Sequence, residues 1–245
     1  MSSNHQKYAD FIWSVADLLR GDYRQSEYGK VILPFTVLRR LDCVLEPTKE
    51  AVLALYEELK KEKLPPRLVE IRLRSASGVS FYNISPLDFK KLLSDSENVA
   101  KNLHSYIAGF SPGTVEVLDK YRFDEQIDRL DEAGLLYLVT AKFAEIDLHP
   151  ETVDNHQMGY IFEELIRKFS EISNETAGEH FTPREVIKLM VNLLMAPDDQ
   201  DVMTPGIIRT VYDPACGTGG MLSAAEEHIT RYNTKATVKV YGQEL

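Results

Sequence analysis

Apolar residues recur at helical spacing almost from the start of the chain. Phe11, Ile12, Val15, Ala16, Leu18 and Leu19 fall on one face of a short amphipathic helix, which Gly21 ends. Val31, Ile32, Leu33, Phe35, Val37, Leu38 and Leu41 predict a second helix, and Pro34 obliges it to start late or to kink. A charged amphipathic helix is expected over 51–64, halting at Pro65-Pro66, and the stretch from Arg74 to Ser80 reads as loop. Ser85-Pro86-Leu87-Asp88 has the form of a capped start leading into Phe89, Leu92 and Leu93. Further helices are expected within 96–107, 115–118, 124–130 and 135–146. No strong strand candidate and no internal repeat precedes residue 200.

Beyond Pro150 the pattern changes. A helix over 159–172 carries Tyr160, Ile161, Phe162, Leu165, Ile166 and Phe169 and gives way to a polar loop. From Ile207 a β-rich segment runs into a glycine turn, then a helical pattern over 221–229, then a second strand candidate from Thr237. This strand, turn, helix, strand order opens a doubly wound, Rossmann-like α/β fold. The expected organisation is thus α followed by α/β: a helical domain over 1–150 and the start of a second domain over 151–245.

Composition narrows the classes. With 245 residues of which 44% are hydrophobic, the chain can bury a core in each of two domains, which excludes a disordered or collagen-like protein. Lys and Arg number 28 against 38 Asp and Glu, a formal net charge of −10, so unaided coating of DNA is not expected. The two cysteines, Cys43 and Cys216, form neither a disulfide framework nor a zinc pattern and suit a reducing cytosol. No signal-like segment and no apolar run of the roughly 20 residues needed to cross a bilayer is seen, so no membrane association is expected and a cytoplasmic location is.

Two stretches carry chemistry. In His180-Phe-Thr-Pro-Arg-Glu185, Thr182 is a candidate N-cap, Pro183 suits the first helical position, and Glu185 completes a Thr-x-x-Glu capping box. Either this is only a good cap, or the free amides of that helix start receive a carboxylate or phosphate. In Asp213-Pro214-Ala215-Cys216-Gly217-Thr218-Gly219-Gly220, the glycines permit positive φ and close approach of a nucleotide-like ligand. A phosphate-binding P-loop would need Gly-Lys-Ser/Thr, which Gly219-Gly220-Met221 does not supply, and a dinucleotide fingerprint would want Gly or Ala where Leu222 stands. Glu244, about two dozen residues later at the end of the second strand candidate, is placed to accept hydrogen bonds from both hydroxyls of a ribose, the alternative being a solvated acid. Cys216 reads as a small packing residue rather than a nucleophile.

These residues resemble a known family. Asp213 to Gly220 looks like the S-adenosylmethionine motif of amino-group DNA methyltransferases, and Glu179 to Arg184 is similar to their upstream cofactor motif. Together with the helical region, including 11–20 and 31–42, the chain resembles the N-terminal half of the modification subunit of type I restriction-modification systems. The resemblance implies that Asp213, Thr218, Gly219 and Gly220 hold the methionine and sulfonium end of the cofactor. It further implies that Glu179, His180, Phe181, Thr182, Pro183 and Arg184 close over the methionyl carboxylate while Glu244 holds the ribose. Glu179-His180 stands where the family commonly has Gln-Tyr or Gln-Phe.

The implied reaction is methylation of the exocyclic amine of a flipped-out adenine. DNA, a specificity subunit, a nuclease and translocase subunit and a second copy of the chain are the implied partners. Arg39-Arg40, Lys60-Lys61 and Lys90-Lys91 are candidate phosphate contacts, each alternatively a solvated face. The family's catalytic Asn/Asp-Pro-Pro-aromatic motif is not found: the sole Pro-Pro is Leu64-Pro65-Pro66-Arg67. No catalytic residue is therefore assigned, no metal is required, and a truncated product inactive by itself is expected. A protein or RNA methyltransferase, or a non-catalytic helical interaction module, are the competing expectations.

Overall fold

The computed structural model describes residues 3–62, 64–173, 182–198, 202–217 and 219–244. They divide into two compact units, 1–165 and 166–245.

Helices α1 (Ser3–Leu19), α2 (Tyr28–Leu45), α3 (Lys49–Leu59), α4 (Pro66–Ser77), α5 (Phe89–Leu92), α6 (Val99–Ala108), α7 (Pro112–Lys120), α8 (Phe123–Glu132), α9 (Leu136–Glu145) and the first half of α10 (Asn155–Ser173) build the first unit. Its core gathers the residues with helical periodicity: Val15, Leu19, Val31, Ile32, Phe35, Leu38, Leu103, Ile127, Val139 and Phe143 are sealed from solvent. Phe35 is at its centre, edge-on to Phe123 at 5.0 Å and stacked on Phe143 at 5.1 Å, and Phe11 meets Phe143 edge-on at 5.2 Å. Such aromatic arrangements add to what area burial alone contributes.

Of the two alternatives for the second helix, a late start is excluded: α2 begins at Tyr28 and runs through Pro34, whose ring is buried within it. Strong burial of the flanking Val31, Ile32, Phe35 and Leu38 outweighs the one backbone bond that Pro34 cannot donate. The segment 74–77 is not loop but the last turn of α4, which Gly78 closes at φ +70°, its amide bonded to the Arg74 carbonyl at 3.1 Å. Arg39 and Arg40 are not offered to solvent, each being only 8% exposed. Arg39 pairs with Asp42 at 2.7 Å and donates to the Ile146 carbonyl at 3.0 Å. Arg40 donates to the carbonyls of Leu148 and Val153 and to Asn155 Oδ1 at 2.5, 2.7 and 2.8 Å.

Helices α3 and α4 form a hairpin with its own small core of Val52, Leu59, Leu73 and Tyr82. The sole Pro-Pro of the sequence begins its second helix: Pro65 holds extended φ/ψ and Pro66 is the first residue of α4, where the missing amide costs nothing.

The second unit has α11 (Arg184–Met195), β1 (Ile208–Asp213), α12 (Gly220–Tyr232) and β2 (Thr237–Gly242). The strands pair in parallel with Ile208 opposite Thr237 and Asp213 opposite Gly242. This is the β-α-β unit the sequence predicts. On one face, Val211 and Val238 pack with Ile187, Val191 and Met195 of α11 and with Ala225 and Ile229 of α12. Ile208, Tyr212 and Tyr241 of the opposite face are exposed. Asn233, at the end of α12, donates to the carbonyls of Val202 and Thr204, both at 2.8 Å, and so holds the approach to β1.

Candidate cofactor site

Parallel pairing places the carboxyl ends of β1 and β2 at one edge, and the chain leaves that edge through the glycine turn. Beyond the last paired residues the ladder continues for one more rung on each side. Gln243 N donates to the Asp213 carbonyl at 2.9 Å, and Cys216 N donates to the Gln243 carbonyl at 2.9 Å. Within the turn, Asp213 Oδ1 accepts from Ala215 N at 3.1 Å, an Asx-type closure that reverses the chain after the strand. Gly219 N returns to the Cys216 carbonyl at 2.7 Å.

Gly217 and Gly219 hold φ of +51° and +80°, and among the described residues a Cβ built on either meets nothing within 4 Å. Glycine is needed there for the backbone angle. Gly219 is the N-cap of α12, its carbonyl accepting from Ser223 N at 3.0 Å. The first amides of that helix point out of its end with no carbonyl a turn before them, a setting that favours anions.

Glu244 reaches this turn. Its Oε2 accepts from Gly217 N at 2.6 Å, which joins the acid after β2 to the turn after β1. The structure thus brings together Asp213, Pro214, Ala215, Cys216, Gly217, Gly219, Gly220 and Glu244 at the carboxyl edge of the sheet. Thr218, Glu179, His180 and Phe181 lie outside the described residues.

Thr182 and Pro183 are exposed and Arg184 half-buried at the start of α11. The expected capping box is not formed. Pro183, with φ −54° and ψ 138°, is itself the N-cap, its carbonyl accepting from Ile187 N at 3.0 Å, and no side chain caps the helix. An extended ψ at Pro183 delays the helix by one residue, which moves Thr182 out of reach and puts Glu185 second rather than third. Close packing joins this helix to the glycine turn: a Cβ on Gly220 would come within 2.7 Å of Ile187 Cδ1. The first turns of α11 and α12 are therefore in contact.

Gln243 and Gly242 belong to this edge and were not singled out by sequence. Gln243 acts through its backbone, and its Oε1 accepts from the Tyr212 hydroxyl at 2.8 Å. Strand register is what reveals both.

A cavity of about 220 Å³ in the first unit is lined by Arg39, Asp42, Lys49, Asp88, Lys90 and Tyr106 among others. Its charged floor is internally satisfied. Asp42 accepts from Arg39 and from the Tyr106 hydroxyl, each at 2.7 Å, and Lys49 Nζ donates to the Leu87 carbonyl. Burial raises the Asp42 carboxyl above its ordinary value, against the pull of Tyr106 and Arg39, and pushes the Tyr106 phenol well above its own. These groups hold α2, α3 and α6 together. Among the described residues no cluster of His, Cys, Asp and Glu could hold a metal, and no helix is long and apolar enough to cross a membrane.

Residues 8–143 match the HsdM N-terminal domain family, and residues 153–245 match the N-6 DNA Methylase family. The chain is similar to the type I restriction enzyme MjaIX methylase subunit of Methanocaldococcus jannaschii, with 29% identity over 97% of this chain and 42% of that protein. It is also similar to the EcoEI methylase subunit of Escherichia coli, with 33% identity over 48% of this chain and 22% of the relative. For the HindI methylase subunit of Haemophilus influenzae the identity is 30%, over 36% of this chain and 18% of the relative. The chain therefore spans less than half the length of these relatives. Helices α1 to α9 of this chain thus fall largely within the HsdM N-terminal domain match, and strands β1 and β2 within the N-6 DNA Methylase match.

Proposed function

The chain belongs to the HsdM N-terminal domain family, and from that premise we propose that it is the cofactor-binding part of an adenine-specific DNA methylase subunit that uses S-adenosylmethionine. The proposal assigns a helical domain to 1–150 and the beginning of the methyltransferase domain to 151–245. The observation that carries it is the 2.6 Å bond between Gly217 N and Glu244 Oε2, which sets an acid beside an open glycine turn at the carboxyl edge of a parallel pair. Ligands of doubly wound folds bind at that edge.

The residues present suit the cofactor. A carboxylate matches the vicinal hydroxyls of a ribose, the first amides of α12 match the methionyl carboxylate, and no described residue lies over Gly217 and Gly219 where a ligand would approach the backbone. Arg184 and Thr182 would contribute from the start of α11. When bound, the cofactor supplies an electrophilic methyl group: its S–C bond breaks, an N–C bond forms at the exocyclic amine of adenine, and that nitrogen loses a proton.

No residue of this chain is assigned to the adenine, because Pro65-Pro66 serves only to begin α4. The chain by itself is accordingly expected to bind cofactor without methylating DNA. Recognition of a DNA site would fall to a specificity subunit, with a nuclease and translocase subunit joining for restriction. An acidic chain of net charge −10 needs such a partner to hold DNA. A protein or RNA methyltransferase would share the turn and the acid, but the match of 8–143 favours the DNA reading.

Calorimetric titration of S-adenosylmethionine into the chain, with Glu244→Ala and Gly219→Ala alongside, tests the proposal. Binding is expected in the parent and is expected to weaken on the order of tenfold or more in each variant. Alanine at Gly219 is strained at φ +80°, and Glu244→Ala removes charge-assisted bonds. No heat in the parent, with a folded second unit by circular dichroism, would leave the non-catalytic interaction module as the better reading.

A further inference from the structure

Register puts Val238, Val240 and Gly242 on the face of β2 that turns toward α12. At the last of these positions the space that a side chain would fill is already taken. A Cβ built on Gly242 would lie 2.7 Å from Cys216 Sγ, 3.2 Å from Cys216 Cβ and 3.0 Å from Leu222 Cδ1. Gly242 has an ordinary backbone angle, since it is not among the glycines with positive φ. Glycine is needed there for space alone. Leu222 offers the end of a flexible side chain, but Cys216 is less able to retreat, because its backbone is fixed by the bond from its N to the Gln243 carbonyl and by its carbonyl's bond from Gly219 N. A side chain at 242 would therefore be transmitted into the turn itself.

We propose that Gly242 is a positioning residue for the cofactor turn: by leaving room for the Cys216 side chain, it lets the turn of Gly217 and Gly219 close down onto the end of β2, within reach of Glu244. The inference rests on the cofactor reading above for its functional meaning, but its geometric content stands apart from it. Cys216 then has a defined part, as the side chain that sits in the space Gly242 leaves, and its sulfur need do no chemistry. Glu244 follows Gly242 by two residues. Any displacement between β2 and the turn at Gly242 would open the 2.6 Å contact between Glu244 and Gly217 N.

The test is a double-mutant cycle on the full chain. Gly242→Ala is made with Cys216 in place and again in Cys216→Ala and Cys216→Ser backgrounds. Two readouts are taken: the amide NMR shifts of Gly217 and Gly219 without ligand, and the affinity for S-adenosylmethionine. With Cys216 in place, Gly242→Ala is expected to move both amide resonances and to weaken binding on the order of tenfold. In the Cys216→Ala background the same substitution is expected to cost about threefold or less, because the 2.7 Å clash is gone. In Cys216→Ser, whose oxygen is smaller than sulfur and sits on a shorter bond, the cost should fall between those of the other two backgrounds.

Equal costs of Gly242→Ala in all three backgrounds, or unmoved amides, would overturn the inference. If Gly242→Ala unfolds the second unit, recovery of its circular dichroism in Cys216→Ala, greater than in Cys216→Ser, supports the inference, and lack of recovery refutes it. Moved amides with the predicted rescue, in a parent chain that binds no cofactor, would uphold the positioning role while rejecting the cofactor reading.

Discussion

Arg40 is a basic residue whose place in the fold is decided by acceptors more than a hundred positions away. Its guanidinium donates to two carbonyls and one side-chain amide oxygen. Burial lowers its pKa from the ordinary arginine value without making neutrality accessible. Arg40→Met keeps most of the aliphatic length and removes the donors, so it is expected to cost about 3 kcal/mol in urea unfolding, the scale for breaking a buried charge-assisted set. Arg40→Lys should recover little of this, since one ammonium cannot span three acceptors. A loss under about 1 kcal/mol for Arg40→Met would mean that water reaches these carbonyls.

Glu27 works in the opposite setting, near the surface, where the hydrogen bond from Arg129 at 3.1 Å and that from the Arg24 amide hold its carboxyl below the ordinary range. A folded-state value depressed in this way contributes stability above the unfolded-state pKa of about 4.3, and that contribution is lost as pH falls through the folded value. Glu27→Gln should therefore be less stable than the parent at pH 7, with the difference narrowing as pH drops below about 4. Denaturation midpoints across that range check it, and a difference independent of pH would assign the effect to packing.

At the scale of elements, α5 shows how little holds a short helix. It has four residues, too few to be stable by propensity, and is fixed by the burial of Phe89 and Leu92 and by the Asp88 side chain, which accepts from Lys91 N at 2.7 Å. Asp88→Ala is expected to cost about 1 kcal/mol, while Asp88→Asn or Asp88→Ser should cost less, as read from urea unfolding. This element was legible because its cap and its apolar pair are local. So was the β1, turn, α12, β2 run, where glycine, strand pattern and helix pattern follow one another without interruption.

α4 was not legible. Arg67, Arg72 and Arg74 interrupt its apolar residues, and of the whole helix only Leu73 and Ser77 are buried, so periodicity is weak. Passage of α2 through Pro34 and the failure of Thr182 to cap α11 were hidden for a shared reason. Each is decided by what the neighbouring residues bury or by one backbone angle, not by the identity of the residue itself. In the candidate site, Glu244 and the glycines could be named from spacing, whereas Gly242 and Gln243 matter only through strand register.

At the scale of the whole molecule, the two units treat apolar residues differently. The first gathers them into continuous cores, but α11 of the second carries apolar residues on all sides except the one formed by Arg184, Glu185, Lys188 and Asn192. Ile187, Val191 and Met195 are buried, while Val186, Leu189, Met190, Leu193 and Leu194 are exposed by 44 to 68%. Exposed apolar area of this extent in one stripe drives association even when, as here, the net charge of −10 opposes it. Salt screens that repulsion and leaves the apolar attraction, so self-association should rise with protein concentration and with ionic strength. Sedimentation velocity at low and at roughly 0.5 M salt measures this, with Leu189→Glu/Leu193→Glu as the comparison. Both side chains are on the exposed side of α11, so the double variant should keep the parent's circular dichroism and thermal midpoint while remaining monomeric at concentrations where the parent associates. A parent that is monomeric in both salts, or a variant that associates equally, would place the driving surface elsewhere. If the variant instead lost its helical signal, the exposed side of α11 would be contributing to the fold of the second unit.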